Sequence, residues 1–166
     1  MFDKFGEFDS AEEINRVAAA QREEGDIEAI KILAKENGID EEDAVDFAEG
    51  VVDELTTTKM AAIGKLEMEA ADLNITGVLM DWVNELKALC MKEEIFAVSV
   101  RRKGKELAGF IALTAETGYE HRAVVDKRIV EKARKIKSIV GSHEFAIGIP
   151  NQAERKMLAR KYYMEV

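Results

Sequence analysis

The chain has 166 residues, 47% of them apolar and 34% charged, which supplies a buried core with a well-solvated surface and argues against disorder. No apolar run reaches the about 18 residues of a membrane span. The opening "MFDKFGEFDS" lacks the basic-then-apolar pattern of a secretory leader. The single cysteine, Cys90, has no internal disulfide partner, so a cytoplasmic protein with no membrane association is expected.

The net charge of −9 hides a split. Residues 1–90 hold 8 Lys/Arg against 23 Asp/Glu, a balance of −15, whereas residues 91–166 hold 16 against 10, a balance of +6. Such polarity points to association through charge, either within the fold or with a partner.

In chain order, the first fifty residues read as three short helices. "DSAEEINRVAAAQREEG" begins at Ser10, with Glu13 three residues on as in a capping box, and stops at Gly25. Its apolar stripe is Ile14, Val17 and Ala18. "DIEAIKILAKENG" runs from Asp26 to Asn37-Gly38, a C-terminal signal because glycine accepts positive φ. "DEEDAVDFAEG" starts at Asp40, and its acidic first turn suits the positive end of a helix dipole. Near Gly50 this densely acidic module gives way to more apolar sequence, so a 1–50 module and a 51–166 core domain are expected.

In "TTTKMAAIGKLEMEAADL", Met60, Ile63, Leu66 and Leu73 keep helical spacing. "TGVLMDWVNELKALCM" has the broadest stripe, Val78, Leu79, Trp82, Val83, Leu86, Leu89 and Cys90, and is expected to be the central core helix, capped by Thr76. "EIFAVSV" admits two readings: a strand in which Phe96, Val98 and Val100 alternate inward, or a helix that continues through it. "GKELAGFIALTAE" returns to helical spacing at Leu107, Phe110, Ile111 and Thr114. "VVDKRIVEKARKIKSIVG" is expected to form one helix capped by Asp126 and ended by Gly141, with Ile129, Ala133, Ile136 and Val140 inward.

The only proline, Pro150, disfavours helical geometry at Ile149. Phe145, Ile147 and Ile149 therefore read as a short strand pointing alternate residues inward, after which Asn151 caps a final helix and Glu154 completes a capping box. The fold class expected is mainly α, about seven to eight helices, with the option of a two-stranded element pairing 95–101 with 144–149.

Chemistry-bearing residues are sparse. His121 and His143 stand alone, without the spacing of a zinc site, and adjacent His143 and Glu144 do not face one way in a strand. Cys90 lies in the core stripe, away from the positive charge that activates a thiolate. The cluster Asp40, Glu41, Glu42, Asp43 and Asp46 lacks the alternation and central glycine of a calcium loop, and no glycine-rich phosphate loop occurs. Residues 27–49 have helix-turn-helix length, but their second helix is acidic and would repel phosphate. No catalytic constellation, metal site or cofactor is implied.

The basic half carries the candidate site. Arg155, Lys156, Arg160 and Tyr163 fall in one arc of the last helix, and Lys132 and Lys135, with Lys127, Arg128, Arg134 and Lys137, decorate the one before it. Joined by Arg101, Arg102, Lys103 and Lys105, they would form a basic surface suited to an acidic protein or to phosphate.

The segments "FGEFDSAEEINRVAAAQREEGDIEAIKILAKENGID" and "EDAVDFAEG" resemble small proteins of gut Firmicutes encoded with mobile or conjugative elements. The back half, with "RKGKELAGFIALTAE" before a turn and a strand-helix ending, resembles PcfK-like proteins and Cas9-inhibitor-type relatives of them. The resemblance implies an accessory role in a mobile element and transfers no functional residue. The function expected is a non-enzymatic accessory or regulatory protein that binds a macromolecule through charged surfaces. Protein is favoured over nucleic acid as the partner; the alternative is a nucleic-acid-associated protein using the basic C-terminal half.

Overall fold

The computed structural model describes residues 4–165. Among them are ten helices and one two-stranded antiparallel sheet, so the chain is mainly helical, with more helices than the pattern of caps suggested. The acidic module contributes α1 (Ala11–Glu24), α2 (Ile27–Glu36) and α3 (Glu41–Glu49). Ser10 accepts the Glu13 amide, and Glu13 reaches back to the amide of Asp9. Asp26 accepts the amide of Ala29. Phe8, Ile14, Ala18, Ile30, Leu33, Phe47 and Leu55 fill the first core.

Helix α4 (Thr58–Asp72) separates this core from a second. Its Ala61 belongs to the first, while Ala62, Leu66 and Ala70 belong to the second. A helix covered on two sides needs small residues. That is why alanines are buried while the expected Met60 and Leu73 are 48% and 42% exposed. Gly64 sits at the crossing with the end of α2, where an added Cβ would lie 2.5 Å from the Asn37 carbonyl oxygen.

The second core is built on α5 (Val78–Lys92), α6 (Glu94–Arg101), α7 (Leu107–Glu120) and α10 (Gln152–Met164). Trp82, Val83, Leu86, Leu89 and Cys90 of α5 are buried as the stripe requires, whereas Val78, also expected inward, is 50% exposed in the first turn. Its start is Gly77 at φ 60°, with no side-chain cap, rather than Thr76. Residues 94–101 resolve to helix: Ala97 is fully buried and Val98 is 40% exposed, the phase of a helix rather than a strand.

The two-stranded sheet instead joins β1 (Ala123–Val124) to β2 (Ala146–Ile147), with Ala123 opposite Ile147 and Val124 opposite Ala146. The strand expected over 144–149 thus covers only Ala146–Ile147 and finds its partner beside the end of α7, not at 95–101. It leaves Ile147 and Ile149, expected inward, exposed for want of a layer to cover them. Between the strands lie α8 (Lys127–Lys132) and α9 (Arg134–Val140), broken at Ala133 where one helix was expected. Neither buries a residue, and Ile129, expected inward, is 61% exposed. Too little structure surrounds this excursion to form a core. Asn151 and Glu154 complete the capping box of α10.

Candidate interaction surface

Helix α10 is held to α5 by charge. Arg155 donates from Nε and Nη2 to the Glu85 carboxylate at 2.9 and 2.6 Å and from Nη1 to the Pro150 carbonyl at 2.5 Å. The guanidinium also lies 5.8 Å from the centre of the Trp82 ring. The hydrogen bonds from Arg155 hold the Glu85 carboxyl below its usual range, and Glu85 raises Arg155 in return. One turn on, Arg160 pairs with Glu93 at 2.5 Å. Tyr163 is fully buried, its ring 5.7 Å edge-on to Phe96 and 6.1 Å from Phe110. Of the expected arc, then, Arg155 and Arg160 bind the protein itself, Tyr163 is core, and Lys156 is half-buried without an ion pair among the described residues.

The 101–105 cations also disperse. Arg101 is 1% exposed and donates to Asn37 Oδ1 at 2.5 Å. Lys105 donates to the carbonyls of Tyr162 and Glu165 and so closes the end of α10. Arg102 and Lys103 remain on the surface.

Lys132 and Lys135 belong to a different body, the arm of residues 122–149. It is anchored where Gly148 meets Gly118: a Cβ on Gly118 would stand 2.5 Å from the Gly148 carbonyl oxygen. Pro150 is buried beside this contact. The lone proline thus marks where the arm ends and α10 begins. The arm holds 7 Lys/Arg against 3 Asp/Glu. Arg128 pairs with Asp126, and Arg122 lies over the Tyr119 ring at 4.1 Å. Lys127, Lys132, Arg134, Lys135 and Lys137 have no ion pair among the described residues. Among these cations stand exposed apolar side chains: Ile129, Ile147 at 51%, Ile149 at 56% and Ile139 at 84%. No side chain from 119 to 149 is fully buried. A groove of about 410 Å³ at the arm's base is floored by Val125, Val130 and Phe145 and has a mixed rim of Lys127, Lys137 and His143 with Glu131 and Glu144.

A second polar feature went unseen in the sequence. Lys65, 3% exposed, lies between the cores, donating to Glu7 Oε1 and the Arg102 carbonyl, both at 2.9 Å, with Glu69 Oε1 at 3.7 Å. Glu69 accepts the first amide of α7 from Leu107 at 2.7 Å, and burial pushes its carboxyl up. Burial likewise lowers Arg101. Each charge is tied to a different segment, which suits a tie between helices better than a reaction site. Cys90, pushed up to about 12 by burial, is a thiol at neutral pH and no nucleophile. No group of three or more potential metal ligands occurs among the described residues, and no helix among them is long and apolar enough to cross a membrane. Protein-family models, curated proteins and solved structures were compared with the chain, and nothing matched.

Proposed function

We infer that the protein is a non-enzymatic accessory or regulatory factor that binds a protein partner through the basic arm of residues 122–149. The observation carrying this reading is the set of four exposed isoleucines on one segment, Ile129, Ile139, Ile147 and Ile149, amid cations that form no ion pair among the described residues. Protein interfaces bury apolar side chains inside a polar rim, and several exposed apolar side chains on one segment, unlike a lone one, mark a contact surface. Nucleic-acid surfaces are more uniformly basic and stack bases on aromatic rings. On α8 and α9 the exposed large side chains between the cations are isoleucines instead. An accessory role of this kind is also what the resemblance of the first fifty residues implies.

The test is reversal of Lys132, Lys135 and Lys137 to Glu. These exposed side chains bear no ion pair among the described residues, so the melting temperature should hold while partner capture is lost. Recovery of the same proteins by wild type and variant would rule the arm out.

A second reading has its own observation, five unpaired cations between residues 127 and 137. If they met DNA phosphates, the slope of log affinity against log salt would be about −4.5. No retention of a duplex at low salt excludes it.

A further inference from the structure

Cations of the arm without an ion pair among the described residues are matched by carboxylates in the same condition on the acidic module and the 51–57 loop that follows it. Between the α2–α3 turn, the 51–57 loop and the first half of α4 lies a groove of about 210 Å³. Its rim carries Asp40, Asp43 and Glu54, all exposed and none in an ion pair among the described residues. Its floor is apolar: Val52 and Met60 are 39% and 48% exposed, and Ile63 is half-buried. The arm offers the opposite pattern on α9, where Lys135 stands one helical turn before Ile139 on the same face.

We propose that this acidic groove is a docking site for the α9 edge of the basic arm of a second copy of the same chain. Ile139 enters the floor formed by Val52, Met60 and Ile63, while Lys135 meets Asp40, Asp43 and Glu54. The inference rests on the reading of the arm as a protein-binding surface and names its partner. Two different patches meet, so each copy keeps one donor and one acceptor surface, and association is head-to-tail and proceeds by addition of copies. One helix edge in a groove this small falls short of the about 800 Å² per partner of a standard interface, so the assembly is reversible and sensitive to salt.

Sedimentation velocity of the intact protein across a concentration series, at about 0.1 M and about 1 M salt, reads the association directly. The wild type should gain mass with concentration at the lower salt and lose that gain at the higher. Lys135→Glu blocks the donor surface and Asp43→Lys/Glu54→Lys the acceptor. Each alone should weaken association at least about tenfold. Mixed together they should associate again, because an acidic arm then faces a basic groove and the untouched surfaces still fit each other. Thermal melts confirm that both variants fold, and Ile139→Ser offers a milder donor variant.

A wild type that stays monomeric at every concentration overturns the proposal, as does a mixture that fails to associate. If that monomer still loses capture of another protein when the arm is reversed, the arm serves a different partner and only self-docking falls. If capture survives the reversal as well, the arm reading falls with it.

Discussion

Tyr163→Phe should make the protein more stable, against the usual direction for a change at a fully buried position. The ring is enclosed by Phe96, Phe110 and Tyr162, the last at 4.9 Å and nearly perpendicular. The hydroxyl, however, has no hydrogen-bond partner among the described residues. Burying an unpaired hydroxyl costs about 1–3 kcal/mol, and phenylalanine keeps the packed ring while removing that cost. For a chain of this size the gain corresponds to a rise of about 3–9 °C in melting temperature. Tyr163→Ala, by contrast, opens a cavity and should cost about 3–5 kcal/mol.

The same hydroxyl sets an alkaline limit. Burial raises its pKa well above the ordinary value of about 10. The folded state therefore holds the proton more tightly than the unfolded chain, and the stability this contributes is present below about pH 10 and lost as pH rises beyond it. Tyr163→Phe should flatten that limb of the stability profile. Melts of both proteins at neutral and alkaline pH decide the matter, and a lower melting temperature for the variant at neutral pH would show that the hydroxyl is satisfied. Partner capture should not change, since the side chain has no surface to offer.

Cys90, 0% exposed with its thiol pushed up to about 12, should react with thiol reagents only at the rate of unfolding; rapid labelling of the native protein would place it at a surface. Gly64→Ala drives a methyl group against the backbone of Asn37 and Gly38, which cannot yield as a side chain would. The expected loss is about 1–3 kcal/mol in a denaturant melt, and an unchanged midpoint would mean that α4 and the end of α2 are further apart. Glu85 is held below its ordinary pKa by Arg155, so its contribution is present above the unfolded value of about 4.3 and lost as pH falls through the folded value. Glu85→Gln should thus lose stability at neutral pH and lose less on acidification than the wild type.

Capping chemistry was the most legible layer of the sequence. Ser10, Asp26, Asp126 and Asn151 all accept the amides their positions imply, because a cap depends on three or four adjacent residues. The stripe of α5 was equally plain, since that helix buries one face. Helix α4 is where expected and buries Leu66, but it is covered on two sides, so that Ala61, Ala62 and Gly64 matter more than Met60 and Leu73. Periodicity also failed at 94–101, where Ala97 rather than Val98 faces the core; a short apolar run does not separate period two from period 3.6. Lys65 and Arg101 could not be placed, because their partners lie 58 and 64 residues away in Glu7 and Asn37. At α10 the wheel put Tyr163 among the cations, whereas the helix turns it inward and spends two of those arginines on Glu85 and Glu93.

That division of the basic residues bears on function. The arginines of α10 are neutralised by acids of α5 and its C-cap, so the charge split is partly an internal matter. The lysines of the arm and the carboxylates around Asp40, Asp43 and Glu54 are not, although one chain holds both. Exposed ion pairs contribute about 0–1 kcal/mol each, so opposite charges left apart on a surface cost the monomer little. They cannot by themselves hold two copies together either. Their contribution is steering and choice of partner, and the apolar contact must supply the rest, about 1.5–3 kcal/mol for one large side chain fully buried. The decisive side chain is therefore Ile139: charge on the arm brings the acidic groove into register, and that isoleucine determines whether the encounter lasts.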